Sequence, residues 1–160
     1  MGRYQATRIA ERRDARIAAA MFGPLDHIGF LVRDVEAAVA QAQAAFGLPI
    51  ARQSELEQFS ISATFLGEGS GTLEIFTFTD PEVLDPRLDG AERRIDHVAV
   101  RVPDLTALAA TLQASGVRFC TPDRREELTQ PISTGPSRSL WTQPETAAGV
   151  ALQLIEPPAS

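Results

Sequence analysis

Two stretches of this sequence repeat one pattern of apolar and polar residues. Residues 25–35 read LDHIGFLVRDV and residues 95–105 read IDHVAVRVPDL, at a constant offset of 70 residues. Each stretch fits a short strand, and each is followed by apolar residues at helical spacing, over Val35–Phe46 and over Leu105–Leu112. The repeat therefore predicts a strand, a sharp turn and an amphipathic helix of about three turns, twice over.

The ends of the two predicted helices carry residues that suit helix termini. Asp34 and Asp104 stand at the N-cap positions, where a carboxylate accepts hydrogen bonds from the unpaired amides of the first turn. Gly47 and Gly116 follow the last turns, where a left-handed backbone conformation is common. These residues support the predicted helix boundaries in both copies.

Further strands are predicted after each helix. Along the chain they are Ser60–Gly67, Thr72–Thr79, Arg138–Trp141 and Val150–Glu156. Neither copy is large enough for a comfortable core of its own, so we expect the two to share one sheet face. The prediction is an α+β fold of two βαββ(β) modules related by a pseudo-twofold axis, with curved sheets and the helices outside.

The domain boundaries follow from the repeat. We predict an Arg-rich N-terminal extension at 1–22, the first module at 23–80, a linker at 81–94 and the second module at 95–158. The second copy is the longer one. The segment 122–138 is rich in Pro, Gly, Ser and charge, so it is predicted to carry the extra residues as a loop.

Composition narrows the classes of function. The formal net charge is −6, which argues against sequence-independent binding to nucleic acid. All 15 basic residues are Arg, which excludes Schiff-base chemistry on a lysine. The single Cys120 cannot close an intramolecular disulfide. No apolar run approaches the ~20 residues that cross a bilayer, so we expect a cytoplasmic protein with neither nucleic acid nor membrane as partner.

The only two histidines, His27 and His97, are equivalent in the two copies. Because side chains alternate across a strand, His27 shares a face with Gly29, and His97 shares one with Ala99 and Arg101. The larger β-branched residues lie on the other face and are expected to pack under the helices. The histidine face is therefore predicted to border a cavity.

A carboxylate and an amide join the histidines in the predicted site. Glu74 shares a strand face with Phe76 and Phe78, where a carboxylate is costly unless it is paired or bound to a metal. Gln153 occupies the equivalent place in the second copy. A twofold axis would gather these four donors around one divalent cation. The predicted ligands are His27, Glu74, His97 and Gln153. The alternative is a duplicated scaffold without its metal.

With these residues in hand, the sequence resembles the vicinal oxygen chelate superfamily, which includes glyoxalase I, methylmalonyl-CoA epimerase, extradiol dioxygenases and bleomycin-resistance proteins. The resemblance rests on DHIGFLVRDVEAAV at 26–39, DHVAVRVPDL at 96–105 and GVALQLIEP at 149–157, and covers about residues 24–158. It is most similar to the epimerase branch because of QPETAAGVALQL at 143–154. The resemblance implies two tandem βαβββ modules with pseudo-twofold symmetry that form a U-shaped cavity around one metal ion.

Two regions of the chain depart from the pattern of the family. Gln153 stands where the family usually has a glutamate that is both ligand and base, and Ser62 and Ala63 stand where the epimerase branch has a second glutamate. Glu74 is therefore the candidate for both ligand and base. The predicted ion is Zn, Co, Ni, Mn, Mg or Fe, and the candidate substrate-binding residues are Arg101, Phe76, Phe78 and Trp141.

The leading prediction is proton transfer on a small oxo acid or acyl thioester, as in an epimerase, an isomerase or a glyoxalase-like lyase. The resemblance also implies a homodimer. One alternative is an Fe(II)-dependent dioxygenase, since two histidines and one carboxylate suit Fe(II). The other alternative is a metal-free ligand-binding or resistance protein.

Overall fold

The computed structural model of the chain describes residues 22–69 and 71–159. They form two compact units. The first unit is Leu25–Ala99, and the second comprises the described residues from Val100 onward together with residues 22–24. Most of the predicted N-terminal extension lies outside the described residues. None of the described helices has the length and apolar character that crossing a lipid bilayer requires.

The first unit combines a sheet with two helices. Its elements are β1 (Leu25–Val32), α1 (Val35–Phe46), β2 (Ile50–Leu56), a 3₁₀ turn (Glu57–Phe59), β3 (Ile61–Leu66), β4 (Thr72–Phe78), α2 (Pro81–Leu88) and most of β5 (Arg93–Arg101). The strand order is β2-β3-β4-β1-β5. Strand β1 runs parallel to β4, whereas β3 pairs antiparallel with both β2 and β4.

The second unit repeats the order of helix and strands. Its elements are α3 (Leu105–Ala114), β6 (Phe119–Cys120), β7 (Glu127–Leu128), β8 (Ile132–Thr134), β9 (Ser137–Thr142), a 3₁₀ turn (Pro144–Thr146) and β10 (Leu152–Glu156). Strands β10, β9, β6 and β7 are neighbours in that order, and β8 also pairs with β9. The mixture of helices and strands confirms the α+β class.

The predicted helix termini are confirmed in both units. Asp34 accepts a hydrogen bond from the amide of Ala37, and Asp104 accepts one from the amide of Ala107, each at 2.9 Å. Gly47 ends α1 in a left-handed conformation with φ 66°. Gly116 follows α3 with φ 91°.

The segment 81–94, predicted as a linker, contains α2 and the start of β5. Asp80 caps the helix by accepting from the amide of Glu82, and Pro81 occupies its first turn. Val83, Leu84 and Leu88 are buried at helical spacing, which is the pattern that stabilises this helix against the sheet. The segment 122–138, predicted as a loop, contains the short strands β7 and β8.

Helices α1 and α2 pack with different faces of the sheet in the first unit. Val39 of α1 belongs to a cluster with Leu66 and Ile75, whereas α2 packs into the cluster that contains Phe76 and Phe78. Alternation along β4 places Ile75 on the face opposite Phe76 and Phe78. The face that carries Phe76 also carries Glu74, so the second cluster borders the candidate site.

Candidate metal centre

Three side chains of the first unit meet on one face of three neighbouring strands. The Nε2 atoms of His27 and His97 are 3.2 Å apart, and Oε2 of Glu74 lies 3.3 Å from the first and 3.1 Å from the second. Strands β4, β1 and β5 are adjacent and carry one of these residues each. The sheet thus gathers residues from positions 27, 74 and 97 into one triangle, which we call the triad.

The spacing of the triad fits a cation. Ligands about 2.1 Å from a cation stand about 3.0 Å apart in octahedral coordination and about 3.4 Å apart in tetrahedral coordination. Oε2 of Glu74 is buried and accepts no hydrogen bond from any described residue. A buried carboxylate oxygen without a hydrogen bond is costly unless positive charge lies beside it. The nitrogen and oxygen donors also match the chemistry of divalent transition metals.

Carboxylates outside the triad orient both imidazoles. Nδ1 of His27 donates to Asp26 at 2.7 Å, and Nδ1 of His97 donates to Asp96 at 3.1 Å. In its neutral form, with the proton on Nδ1, each ring directs the lone pair of Nε2 into the triad. Arg87, from the last turn of α2, donates through Nε to Asp96 at 3.1 Å. The helix in the predicted linker therefore supports one of the candidate ligands.

The pKa values of the triad reflect opposite charges held together in a buried place. Burial alone would lower the pKa of His97, but its hydrogen bond to Asp96 and the nearby Glu74 carboxylate outweigh burial and raise it to about 9. The pKa of His27 is raised by Asp26 and Glu74 against the same effect. Burial would raise the pKa of Glu74, but the two imidazoles beside its carboxylate lower it to about 2. The triad therefore stabilises a negative carboxylate beside positive charge.

Gly29 leaves the space that the His97 ring occupies. A β-carbon built on Gly29 would stand 2.2 Å from Cε1 and 2.5 Å from Nδ1 of His97. The register of β1 and β4 also puts Gly29 directly opposite Glu74. A glycine at this position is needed because any side chain would displace the imidazole.

Aromatic rings surround the triad. The Phe65 ring meets His27 edge-on at 5.2 Å between centroids, and the Phe76 ring lies 5.4 Å from His97. Phe78 packs 5.7 Å from Phe76. All three phenylalanines are buried. The predicted aromatic candidates of β4 therefore form the apolar surroundings of the triad.

The other predicted site residues belong to the second unit. Gln153 is buried on β10, opposite Trp141 of β9, and its amide donates to the hydroxyl of Ser139 at 3.4 Å. Arg101 is exposed at the end of β5, where its backbone pairs with residues 23 and 24. The first unit thus brings together three of the four predicted ligands, and the roles of these second-unit residues stay predictions.

Asp26, Asp96 and Arg87 belong to the site but were not predicted from the sequence. Strand alternation puts each aspartate on the face opposite its neighbouring histidine, yet Nδ1 is the ring nitrogen nearest the backbone and lies within reach of the preceding side chain. The repeated Asp-His pair was the available signal. No pattern in the sequence indicates that Arg87 approaches Asp96.

A family model matches a long stretch of the chain. The model of the Glyoxalase/Bleomycin resistance protein/Dioxygenase superfamily matches residues 26–133, which is more than half of the chain. The chain belongs to this superfamily. Two of the three triad residues, His27 and His97, lie in the opening motifs of the repeat, and members of the superfamily typically use a divalent metal.

Solved structures similar to this vicinal oxygen chelate protein include several methylmalonyl-CoA epimerases. The enzyme from Mycobacterium tuberculosis is 24% identical with a TM-score of 0.74, over 87% of this chain and 91% of that one. A Streptomyces coelicolor variant in complex with 2-nitronate-propionyl-CoA is 22% identical with a TM-score of 0.74, over 86% and 99%. At these identities the likeness establishes the fold.

A third similar structure comes from a protein without an assigned activity. The hypothetical protein BH1468 from Bacillus halodurans is 18% identical with a TM-score of 0.73, over 85% of this chain and 95% of that one. Among curated proteins, no sequence matches this vicinal oxygen chelate protein. The comparisons therefore show the fold and the superfamily. The reaction has to be inferred from the geometry of the site.

Proposed function

We propose that this protein is an enzyme that uses one divalent metal ion to transfer a proton on a small oxo acid or acyl thioester. The proposed ligands are His27, Glu74, His97 and Gln153. The observation that carries the proposal is the triad, whose three ligand atoms lie 3.1–3.3 Å apart and include a buried carboxylate oxygen that accepts no hydrogen bond from the described residues. When bound, a divalent ion supplies Lewis acidity toward substrate oxygens.

The side chains have separate roles in this proposal. Glu74 holds the ion through Oε2 and takes the substrate proton on its other oxygen, which avoids a second carboxylate in the site. Asp26 and Asp96 fix the two imidazoles in the ligating tautomer. Phe76, beside His97, limits the access of water. The proposed substrate contacts are Phe76, Phe78, Arg101 and Trp141.

The kind of proton transfer follows from the superfamily and the fold. We propose epimerase or isomerase chemistry, or the related glyoxalase-like lyase chemistry, since similar structures are epimerases that bind methylmalonyl-CoA or 2-nitronate-propionyl-CoA. Gln153 cannot accept a proton at neutral pH. The single carboxylate of the proposed ligand set therefore has to serve as ligand and base. The homodimer and the cytoplasmic location stay predictions.

Metal binding is tested first. Metal-depleted protein is titrated with Co(II), Ni(II), Zn(II), Mn(II), Mg(II) and anaerobic Fe(II), and we expect one equivalent of at least one ion to bind and raise the melting temperature. His27→Ala and His97→Ala should each abolish binding, while circular dichroism reports whether they fold. Full metal occupancy in the double variant, or an unchanged melting temperature with every ion, contradicts the proposal and favours a metal-free binding protein.

Proton transfer is tested by isotope exchange. Metal-loaded protein is incubated in deuterated water with methylmalonyl-CoA or with 2-oxobutyrate, and NMR follows loss of the signal of the proton next to the carbonyl. We expect exchange in the wild type, a loss of about 100-fold or more in Glu74→Gln and faster exchange in Gln153→Glu. No exchange in either the wild type or Gln153→Glu would contradict proton-transfer chemistry.

One observation favours a second candidate function. Two imidazole nitrogens and one carboxylate oxygen in a compact triangle form the donor set of Fe(II) oxygenases. An Fe(II)-dependent dioxygenase predicts one equivalent of iron in anaerobically purified protein and consumption of oxygen with a catechol. Oxygen consumption without isotope exchange would favour this candidate over proton transfer.

A further inference from the structure

A row of four residues crosses the sheet of the first unit and includes the candidate ligand Glu74. Arg52 of β2 pairs with Phe65 of β3, Phe65 pairs with Glu74 of β4, and Glu74 pairs with Gly29 of β1. Residues directly opposite one another project from the same face of a sheet. Arg52 therefore lies on the face of the triad, two strands away from Glu74.

The guanidinium of Arg52 is linked to the triad by a single ring. Its Cζ atom stands 3.3 Å from the centroid of Phe65, and the Phe65 ring meets His27 edge-on at 5.2 Å. The Phe65 ring is therefore the only group needed to connect the Arg52 guanidinium with the His27 imidazole. The pairing is irregular between Ile50 and Arg52, and such a bulge redirects side chains at the edge of a sheet.

Arg52 offers its hydrogen-bond donors to a ligand. Stacking uses the flat face of the guanidinium and leaves the N–H groups at its edge available. The side chain is exposed, and within residues 22–69 and 71–159 it forms neither an ion pair nor a hydrogen bond. Arg33, Arg87 and Arg138 differ, because each of them pairs with a carboxylate. The same face carries apolar residues of the core, chiefly Ile61, Ala63 and Phe76.

We propose that Arg52 binds a carboxylate group of the substrate that is separate from the oxygen atoms bound at the triad. The fork of N–H donors matches the two oxygens of a carboxylate, and the ring of Phe65 holds the fork beside His27. The substrate class is then an oxo acid with a second carboxylate. This inference rests on the proposed function, since the triad must hold the other end of the substrate.

The test compares two probes that differ in one group. 2-Oxoglutarate and 2-oxopentanoate have chains of equal length, but only the first has a distal carboxylate. Calorimetry on Co(II)-loaded wild type should show at least about tenfold tighter binding of 2-oxoglutarate. Arg52→Gln should remove this preference, and Arg52→Lys should retain part of it because a lysine keeps the charge without the fork.

Arg93→Gln is the matched control. It removes the same charge from an exposed residue of the first unit that donates to Gln41 of α1, so the preference for 2-oxoglutarate should persist. If the wild type binds Co(II) but binds both probes equally, the role of Arg52 is overturned and the proposed metal centre is retained. A loss of Co(II) affinity in Arg52→Gln as large as the loss of 2-oxoglutarate affinity would also overturn it. Failure of the wild type to bind Co(II) would overturn both proposals.

Discussion

The imidazole of His97 fits against the backbone of Gly29 because glycine has no side chain. Gly29 and His97 lie on β1 and β5, and the imidazole of His97 fills the volume where a side chain at position 29 would stand, with Cε1 only 2.2 Å from the ideal β-carbon. The contact is with the rigid ring of a buried residue, which cannot move aside as a flexible side chain can. A glycine on one strand therefore decides where a candidate ligand on the next strand can stand.

Gly29→Ala should weaken metal binding by about 10- to 100-fold, because the added methyl group pushes Nε2 of His97 out of the triad. The free energy of unfolding should also decrease by about 1–3 kcal/mol, as it does when other cores are overpacked. Calorimetric titration with Co(II) and chemical denaturation measure the two effects.

Gly47→Ala serves as the control for this substitution. Gly47 has φ 66° and no atom within 4 Å of an added β-carbon, so alanine there is strained but distant from the triad. This variant should lose stability and keep its metal affinity. In Gly29→Ala/His97→Ala the clash is absent, and the alanine at 29 should then cost little stability. A Gly29→Ala protein with wild-type metal affinity would contradict this account.

Asp96→Asn should lower metal affinity by about 10- to 100-fold. The substitution removes the charge that holds Nδ1 of His97 and leaves Arg87 without its carboxylate partner. Asp34→Asn makes the same change of charge at a helix N-cap, where asparagine caps as well as aspartate, and should have no effect on the metal. Co(II) titration of both variants measures the difference, and equal affinities would exclude the role of Asp96.

Glu74→Gln should weaken binding of a divalent ion more strongly than either substitution above. It retains the shape of the side chain and removes the only carboxylate of the triad. Glu55→Gln is the control, since Glu55 accepts a hydrogen bond from Ser62 and lies outside the triad. Competition with a chromophoric chelator measures both affinities. Unchanged affinity in Glu74→Gln would exclude this carboxylate as a ligand.

Metal binding should release protons at pH 7. The pKa of His97 is raised to about 9, so metal-free protein carries a proton there that a metal ion must displace. Affinity should therefore rise as the pH rises toward 9. Calorimetry at pH 7 in two buffers of different ionisation enthalpy should give at least about one released proton, because the pKa of His27 is raised as well. Binding without proton release, or affinity that falls with rising pH, would contradict this prediction.

The stability of metal-free protein should decrease as the pH rises and His97 loses its proton. Because the folded pKa of His97 lies above the unfolded value of 6.5, its contribution to stability is complete below about pH 6.5 and disappears as the pH rises through 9. The melting temperature of metal-free wild type should fall over this range. His97→Ala is the control, and its melting temperature should change less over the same window.

Local patterns in the sequence were sufficient for much of the fold. The two aspartate caps, Gly47 and the strand-helix repeat depend on neighbouring residues, and the structure has them where the pattern predicts them. Strand β2 was not identified, because it is mostly exposed and lacks regular alternation. The helix α2 was assigned to a linker, since its buried residues Val83, Leu84 and Leu88 form a short apolar pattern interrupted by Pro86.

The sequence by itself determined that two histidines and a glutamate stand on strand faces suited to a common site, because alternation and internal repetition are local properties of the chain. Only the tertiary structure decided that Nε2 and carboxylate atoms approach within 3.1–3.3 Å, that Arg87 supports Asp96, and that Arg52 stacks beside the triad. Those relationships depend on strand order and register, which join residues far apart in the chain through long-range pairing that local patterns do not encode.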